Sequence, residues 1–159
     1  MKIFSLTLIY KNIMSEQTQT NFNKLNLGQT NINKSNPSQD DLNKITQFFF
    51  TLQLLNKVYH WNTQSYARHM ATDRFNVTMQ TTIDKFMEVF IGRYQLKPIV
   101  SNVELKAKYL TDEGIKEYLI KGKKYIQQLE TIIADSELLN IRDELLAEIN
   151  QTLYLFELK

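Results

Sequence analysis

The chain has 159 residues, 43% of them hydrophobic, which is enough for one domain with a single buried core. It contains no cysteine, so disulfides, thiolate metal sites, iron–sulfur clusters and cysteine nucleophiles are excluded, and any metal ligands must be His, Asp or Glu. The 19 basic and 17 acidic side chains give a net charge of +2, which neither requires nor excludes a nucleic-acid partner.

Residues 1–37 are predicted to form a mobile polar extension. The opening MKIFSLTLIY contains an apolar run that is shorter than a membrane span, and no small-residue cleavage site follows it, so we expect a cytoplasmic protein and no export. Met14 would make an ordinary cytosolic start, which leaves residues 1–13 as either an upstream extension or a docking segment. From Ser15 to Asn36 the chain is polar and shows no sustained period, so it cannot bury enough surface to offset its ordering entropy.

The predicted domain, residues 38–159, opens with two long helices. In the segment PSQDD, Ser38 is the expected N-cap of the first helix, and apolar residues at spacings of three and four extend this helix to about Trp61. After a break at NTQS, the same spacing predicts a second helix from about Tyr66 to Tyr94.

Two further helices follow a long connection. Residues 95–110 form this connection, which is expected to contain a short helical piece. The sequence TDEG supplies the N-cap of a third helix, whose apolar stripe extends to Ile133, and a fourth helix is expected from about Ser136 to Leu158. A long second connection between short first and third ones predicts an all-α, ferritin-like four-helix bundle with a crossover between helices two and three.

One stripe of the second helix carries four potential metal ligands. At about 100° per residue, with His69 at zero, Asp73 lies at about 40°, Asp84 at about 60° and Glu88 at about 100°. The apolar stripe of the helix lies beside them, and no lysine or arginine interrupts the line. Two acids at a spacing of four residues repel each other unless a cation lies between them, so the pattern favours a metal site.

A single helix cannot gather these four ligands, because His69 and Glu88 are about 28 Å apart. The pair His69 and Glu88 and the pair Asp73 and Asp84 share one midpoint, near the centre of the helix. Two antiparallel copies of the helix about a two-fold axis would therefore form two equal sites, with centres about 22 Å apart. His60, at the end of the first helix, can add a second imidazole. This N/O ligand set suits iron, manganese or zinc, and its symmetry predicts a homodimer.

The motif HWN at the end of the first helix, followed by His69, Asp73, Asp84 and Glu88 on the second, resembles the Dps family of ferritin-like mini-ferritins, the DNA-binding proteins from starved cells. The resemblance covers about residues 40–95. In that family the ferroxidase site lies between two-fold-related subunits.

The resemblance implies a function and a division of the site between subunits. By resemblance, His60, His69 and Asp73 come from one subunit and Asp84 and Glu88 from its partner. It also implies oxidation of Fe(II) by peroxide or oxygen, iron storage in a dodecameric shell and protection against peroxide, with no catalytic residue beyond the metal ligands. DNA is an optional partner, and a nucleoid-associated location is then compatible; no membrane partner is expected.

One feature of the sequence departs from the family pattern, and one aromatic residue gains a role from it. The gap between His60 and His69 is shorter than the family's usual one by about a helical turn, so the loop between the first and second helices is shortened. Trp61 is predicted to pack in the core or in an interface, and by resemblance it is an aromatic residue near the metal.

Alternative functions remain open at this point. Ordinary ferritins use a Glu-x-x-His pair within one subunit, and no Glu-x-x-His occurs in this sequence, which argues against such a site. The competing hypothesis is a structural or DNA-associated ferritin-like protein with a degenerate metal site. The final helix resembles a divergent branch that includes ferritin-like proteins of large DNA viruses, for which the location would be the virion or the infected-cell cytoplasm.

Overall fold

The computed structural model describes residues 36–101, 103 and 105–158, and all regular structure in these residues is helical. The prediction of an all-α chain is therefore confirmed for this part of the protein. The four α helices are α1 (Gln39–Asn62), α2 (Tyr66–Tyr94), α3 (Asp112–Gln128) and α4 (Ser136–Leu155), with short 3₁₀ helices at Ala107–Leu110 and Leu129–Thr131. The predicted extension, residues 1–37, lies outside the described residues except for Asn36 and Pro37.

A capping box begins α1 where the sequence predicted it. The Ser38 hydroxyl accepts a hydrogen bond from the backbone N–H of Asp41, and the Asp41 carboxylate accepts one from the backbone N–H of Ser38 at 2.9 Å. These reciprocal bonds satisfy two backbone donors and define the first residue of the helix.

A three-residue link joins α1 to α2. The backbone N–H of Thr63 donates to the carbonyl of Tyr59 and ends α1, and the Ser65 hydroxyl accepts from the backbone N–H of Arg68 and begins α2. Because the link is so short, the end of α1 and the start of α2 lie side by side.

The connection after α2 is long, as predicted. Gln95 takes a left-handed conformation, with φ of 56°, and ends α2. Thr111 caps α3, and Gly114 follows at a point of close approach, where a Cβ atom would lie 1.8 Å from the carbonyl oxygen of Lys108. Only glycine fits there without displacing the backbone.

The predicted apolar stripes form one core between the helices. Helix α1 contacts α2 at Phe49–Phe86 and at His60–His69, so these two helices are antiparallel. It contacts α3 at Phe48–Tyr125 and at Tyr59–Asp112, so this pair is also antiparallel. The third helix ends at Gln128, earlier than its apolar stripe, because the chain tightens into a 3₁₀ turn. The residues with no exposed surface include Leu42, Ile45, Leu52, Leu55, Phe75, Met79, Phe86, Phe90, Ile115, Leu119, Ile126, Ile133, Leu138, Leu145 and Ile149.

The fourth helix is also slightly shorter than predicted. It ends at Leu155, and Phe156 follows in a turn with 4% of its surface exposed, so its apolar side chain still contributes to the core. None of the described helices is both long enough and apolar enough to cross a membrane.

Candidate metal site on helix α2

The two histidines of the chain lie face to face at the junction of α1 and α2. The ring centroids of His60 and His69 are 4.0 Å apart, and the ring planes are inclined by 23°. His60 is only 6% exposed, whereas His69 is half-buried. The short loop, which departs from the Dps pattern, thus places the two rings in contact.

Backbone carbonyl groups orient both rings. Nδ1 of His60 lies 3.1 Å from the carbonyl oxygen of His69, and Nδ1 of His69 lies 3.2 Å from the carbonyl oxygen of His60. Because a carbonyl oxygen can only accept, Nδ1 of each neutral ring carries the hydrogen and Nε2 carries the free lone pair. Metal-binding histidines commonly donate their second ring N–H in this way. In this tautomer the Nε2 lone pair of each ring is available to bind a metal ion.

Thr72, a residue that the sequence pattern did not single out, supports His60 from α2. Its Oγ1 donates to the carbonyl oxygen of Arg68 at 2.8 Å and lies 3.2 Å from Nδ1 of His60. The hydroxyl has one hydrogen, so it donates to the carbonyl and accepts from the imidazole. The available sequence signal was a polar residue between His69 and Asp73 on the side of α2 that faces α1.

Asp73 is the third predicted ligand at this end of α2. Its Oδ1 lies 3.9 Å from Nε2 of His60, which is too far for a hydrogen bond, and its side chain is 56% exposed. A metal ion bound to both atoms at about 2.1 Å from each would span a gap of this size. The structure therefore places the His60 ring against the His69 ring and near the Asp73 carboxylate.

The residues next to the two histidines anchor the junction to the start of α3. The hydroxyl of Tyr59 donates to Oδ1 of Asp112 at 2.7 Å, and the Arg68 guanidinium donates to the carbonyl oxygen of Asp112 at 3.0 Å. Burial raises the pKa of Tyr59, so its hydroxyl retains the hydrogen that this bond needs. Sequence spacing could not reveal these contacts, because Asp112 is distant along the chain from both partners.

Asp84 and Glu88 lie at the other end of α2, about 22 Å from the histidine end. Both are exposed, and neither has a hydrogen-bond or ion-pair partner among the described residues. Asp84 borders a groove of about 510 Å³ between α1 and α2. The other walls of this groove are largely apolar and include Phe49, Phe50, Ile83, Met87, Ile91 and Pro98.

One chain does not assemble the whole ligand set. Over residues 36–101, 103 and 105–158, no three side chains of His, Asp or Glu lie close enough together to hold a metal ion. The composite site predicted from the sequence needs groups from two chains, and it stays a prediction.

Large apolar side chains are exposed on the stripe of α2 that carries the predicted ligands, and on the adjoining side of α1. Trp61 is 68% exposed, and Nζ of Lys57 lies 5.8 Å from its ring centroid. Trp61 therefore lies outside the core of its own chain, which leaves an interface as the place where it could be buried. The exposed apolar residues of this surface, which we call the α1–α2 face, are Phe50, Leu54, Trp61, Tyr66, Met70 and Val77.

Comparison with known protein families matches residues 60–156 of the chain to DUF5856, a family of unknown function. This segment covers more than half of the chain. The chain belongs to this family. The matched segment begins at His60 and contains all five predicted ligands, but membership of DUF5856 assigns no activity to them. No curated protein and no solved structure matches the chain.

Proposed function

We propose that this DUF5856 member is a Dps-type, ferritin-like oligomer that binds Fe(II) between two-fold-related copies of α2 and oxidises it. The observation that carries the proposal is the pair of reciprocal Nδ1–carbonyl contacts, which leave Nε2 of His60 and of His69 free as ligands beside Asp73. Metal-ligating histidines almost always donate their second ring N–H to a carbonyl, a carboxylate or water, and both rings have such a carbonyl partner.

The ferritin-like bundle belongs to the same proposal. Antiparallel contacts of α1 with both α2 and α3 support parallel α2 and α3 helices, which a long crossover between them requires. A dodecameric shell and a cytoplasmic location are the corresponding expectations for assembly and place of action.

The α1–α2 face supports a second copy of the chain as the partner. About the midpoint shared by the ligand pairs, Met70 is symmetric with Met87, and Tyr66 is symmetric with Ile91. Antiparallel α2 helices would therefore place apolar residues against apolar residues in the register that joins His69 to Glu88. An isologous interface of this kind would also bury the exposed Trp61 beside the partner's groove.

The two unpartnered acids, Asp84 and Glu88, favour this antiparallel register on electrostatic grounds. Asp84 and Glu88 repel each other along α2, and Fe(II) held with the two imidazoles and Asp73 of the other chain would neutralise both. Carboxylate oxygens stabilise the harder, more highly charged Fe(III) and thereby favour oxidation. Two Fe(II) ions would each lose one electron to one H₂O₂ molecule, which takes up two protons and leaves as two water molecules.

Iron-dependent peroxide consumption tests the site directly. We expect the double variant Asp84→Ala/Glu88→Ala to lose at least about 100-fold in rate, because each site loses both ligands from one chain. The matched control is Asp143→Ala/Glu144→Ala, which removes the same charge from the exposed surface of α4. Equal rates for the wild type and the α2 variant would overturn the ferroxidase proposal and favour a structural or DNA-associated protein with a degenerate metal site.

Mixing two inactive variants tests whether two chains share each site. One chain carries His69→Ala/Asp73→Ala and the other Asp84→Ala/Glu88→Ala, so a mixed dimer contains one intact site and one site without these four ligands. Random pairing makes half of the dimers mixed, and about one quarter of the wild-type rate should return after co-refolding. No recovery, with both variants folded and dimeric, would rule out a site shared across the axis.

A further inference from the structure

A furrow runs between α1 and α3, on a different side of α1 from the groove that Asp84 borders. It consists of two adjoining hollows of about 290 and 270 Å³, which share Gln47, Thr51 and Tyr118. The first hollow is completed by Lys44, Phe48 and Tyr125, and the second by Leu55, Lys106 and Tyr109. We call this feature the α1–α3 furrow; the proposed iron site does not use it.

Aromatic rings occur in pairs along the furrow. The ring centroids of Phe48 and Tyr125 are 4.3 Å apart, and those of Tyr109 and Tyr118 are 4.9 Å apart. Tyr118 and Tyr125 are separated by about 10 Å along α3. The two pairs therefore offer stacking surfaces at two successive places along one open channel.

The hydroxyls of Tyr118 and Tyr125 do not add negative charge at neutral pH. Burial raises the pKa of Tyr118 to about 12 and that of Tyr125 to about 12. The hydroxyls therefore remain neutral hydrogen-bonding groups on the furrow wall.

Lysines concentrate at the Tyr109 end of the furrow. Nζ of Lys108 lies 4.7 Å and Nζ of Lys121 lies 5.7 Å from the centroid of the Tyr109 ring. Lys121 also pairs with Glu117, whereas Lys106 and Lys108 have no ion-pair partner among the described residues. This end thus combines an aromatic ring with positive charge that no carboxylate of the described chain neutralises by contact.

We propose that the α1–α3 furrow binds single-stranded nucleic acid, with phosphates at Lys106 and Lys108 and bases stacked on the Tyr109–Tyr118 pair. Lysines that follow a backbone, alternating with aromatic faces, form the usual surface for unpaired strands. A duplex keeps its bases stacked within itself and could use only the lysines. An acidic peptide could likewise pair with the lysines, but it would leave the ring faces without a role.

Fluorescence anisotropy with a labelled oligothymidylate at physiological salt tests this assignment on the full chain. We expect Lys106→Glu/Lys108→Glu to weaken binding by more than about 10-fold and to flatten its salt dependence, because fewer counterions are released. The matched control Lys85→Glu/Lys97→Glu makes the same charge change on exposed residues outside the furrow and should stay within about 2-fold of the wild type.

A tyrosine variant separates stacking from charge. Tyr109→Leu keeps an apolar side chain at the rim and should weaken binding by about 5- to 10-fold without changing the salt slope. The proposal is overturned if the wild type does not bind the strand, if a duplex or polyglutamate binds as tightly, or if the control lysine variant loses as much affinity as the furrow variant. Iron oxidation should be unaffected by the furrow variants, so the two proposals fail separately.

Discussion

Candidate metal ligands lie at both ends of α2, but their surroundings differ. At the N-terminal end, His60 and His69 contact each other and the backbone, and Asp73 lies near them. At the C-terminal end, Asp84 and Glu88 are exposed, and neither has a polar partner among the residues that the structure describes. The first end is thus organised by its own chain, whereas the second carries negative charge that no described residue pairs with.

This difference separates two requirements of a metal site. Orientation of imidazoles needs a rigid local frame, which the short link between α1 and α2 supplies. Completion of the ligand set needs groups that the 29-residue helix holds apart. Association of two chains would meet the second requirement without changing the first.

The largest expected effect comes from preventing the association of two chains, which would bring the N-terminal end of one α2 helix to the C-terminal end of the other. Val77 is 66% exposed near the proposed two-fold axis, so Val77→Glu would place two carboxylates close together and disfavour the dimer. We expect a monomer by light scattering, an unchanged helical circular dichroism spectrum and a loss of at least about 100-fold in iron oxidation.

A control with the same chemistry on another surface sharpens this test. Ile120→Glu changes an exposed residue of α3, outside the α1–α2 face, and should leave the α2 dimer intact. A Val77→Glu protein that remains dimeric and active would contradict the proposed axis.

An intermediate effect is expected from the frame around the histidines. Thr72→Val keeps the shape of the side chain but removes one of the two acceptors near Nδ1 of His60, so metal affinity should fall by about 10-fold. Isothermal titration with Zn²⁺, a redox-inert probe of the same ligands, measures this loss. Thr72→Ser retains the hydroxyl and should restore affinity; failure of this rescue would show that Thr72 acts through packing alone.

The smallest effect concerns stability without metal. Asp84→Asn/Glu88→Gln removes the repulsion between two unpartnered acids and should stabilise the metal-free chain by about 0.2–0.5 kcal/mol at low salt. Asp73→Asn, at the other end, should give no such gain, because no acidic residue lies three or four residues from Asp73 on α2. Urea unfolding at low and high salt compares the two variants, and a gain that persists at high salt would exclude like-charge repulsion as its cause.

Much of the helical organisation followed from local patterns. Ser38 and Thr111 were found as N-caps because capping depends on residues within one turn. The ends of α3 and α4 were less accurate, because apolar periodicity continues through residues such as Ile133 and Phe156 that are buried in turns beyond the helices. Apolar periodicity indicates which residues are buried, and at both places buried residues continue beyond the last residue of the helix.

By itself the sequence determined the all-helical chain and the alignment of His69, Asp73, Asp84 and Glu88 on one stripe, because helical geometry follows from residue spacing. Only the tertiary structure decided that the rings of His60 and His69 stack, that carbonyl groups select their tautomers and that Thr72 contacts His60. It also decided that Asp112 binds Tyr59 and Arg68, the neighbours of the two histidines. These features depend on how α1 folds back onto α2 and on contacts with the distant start of α3. The spacing of residues along one helix carries no information about either.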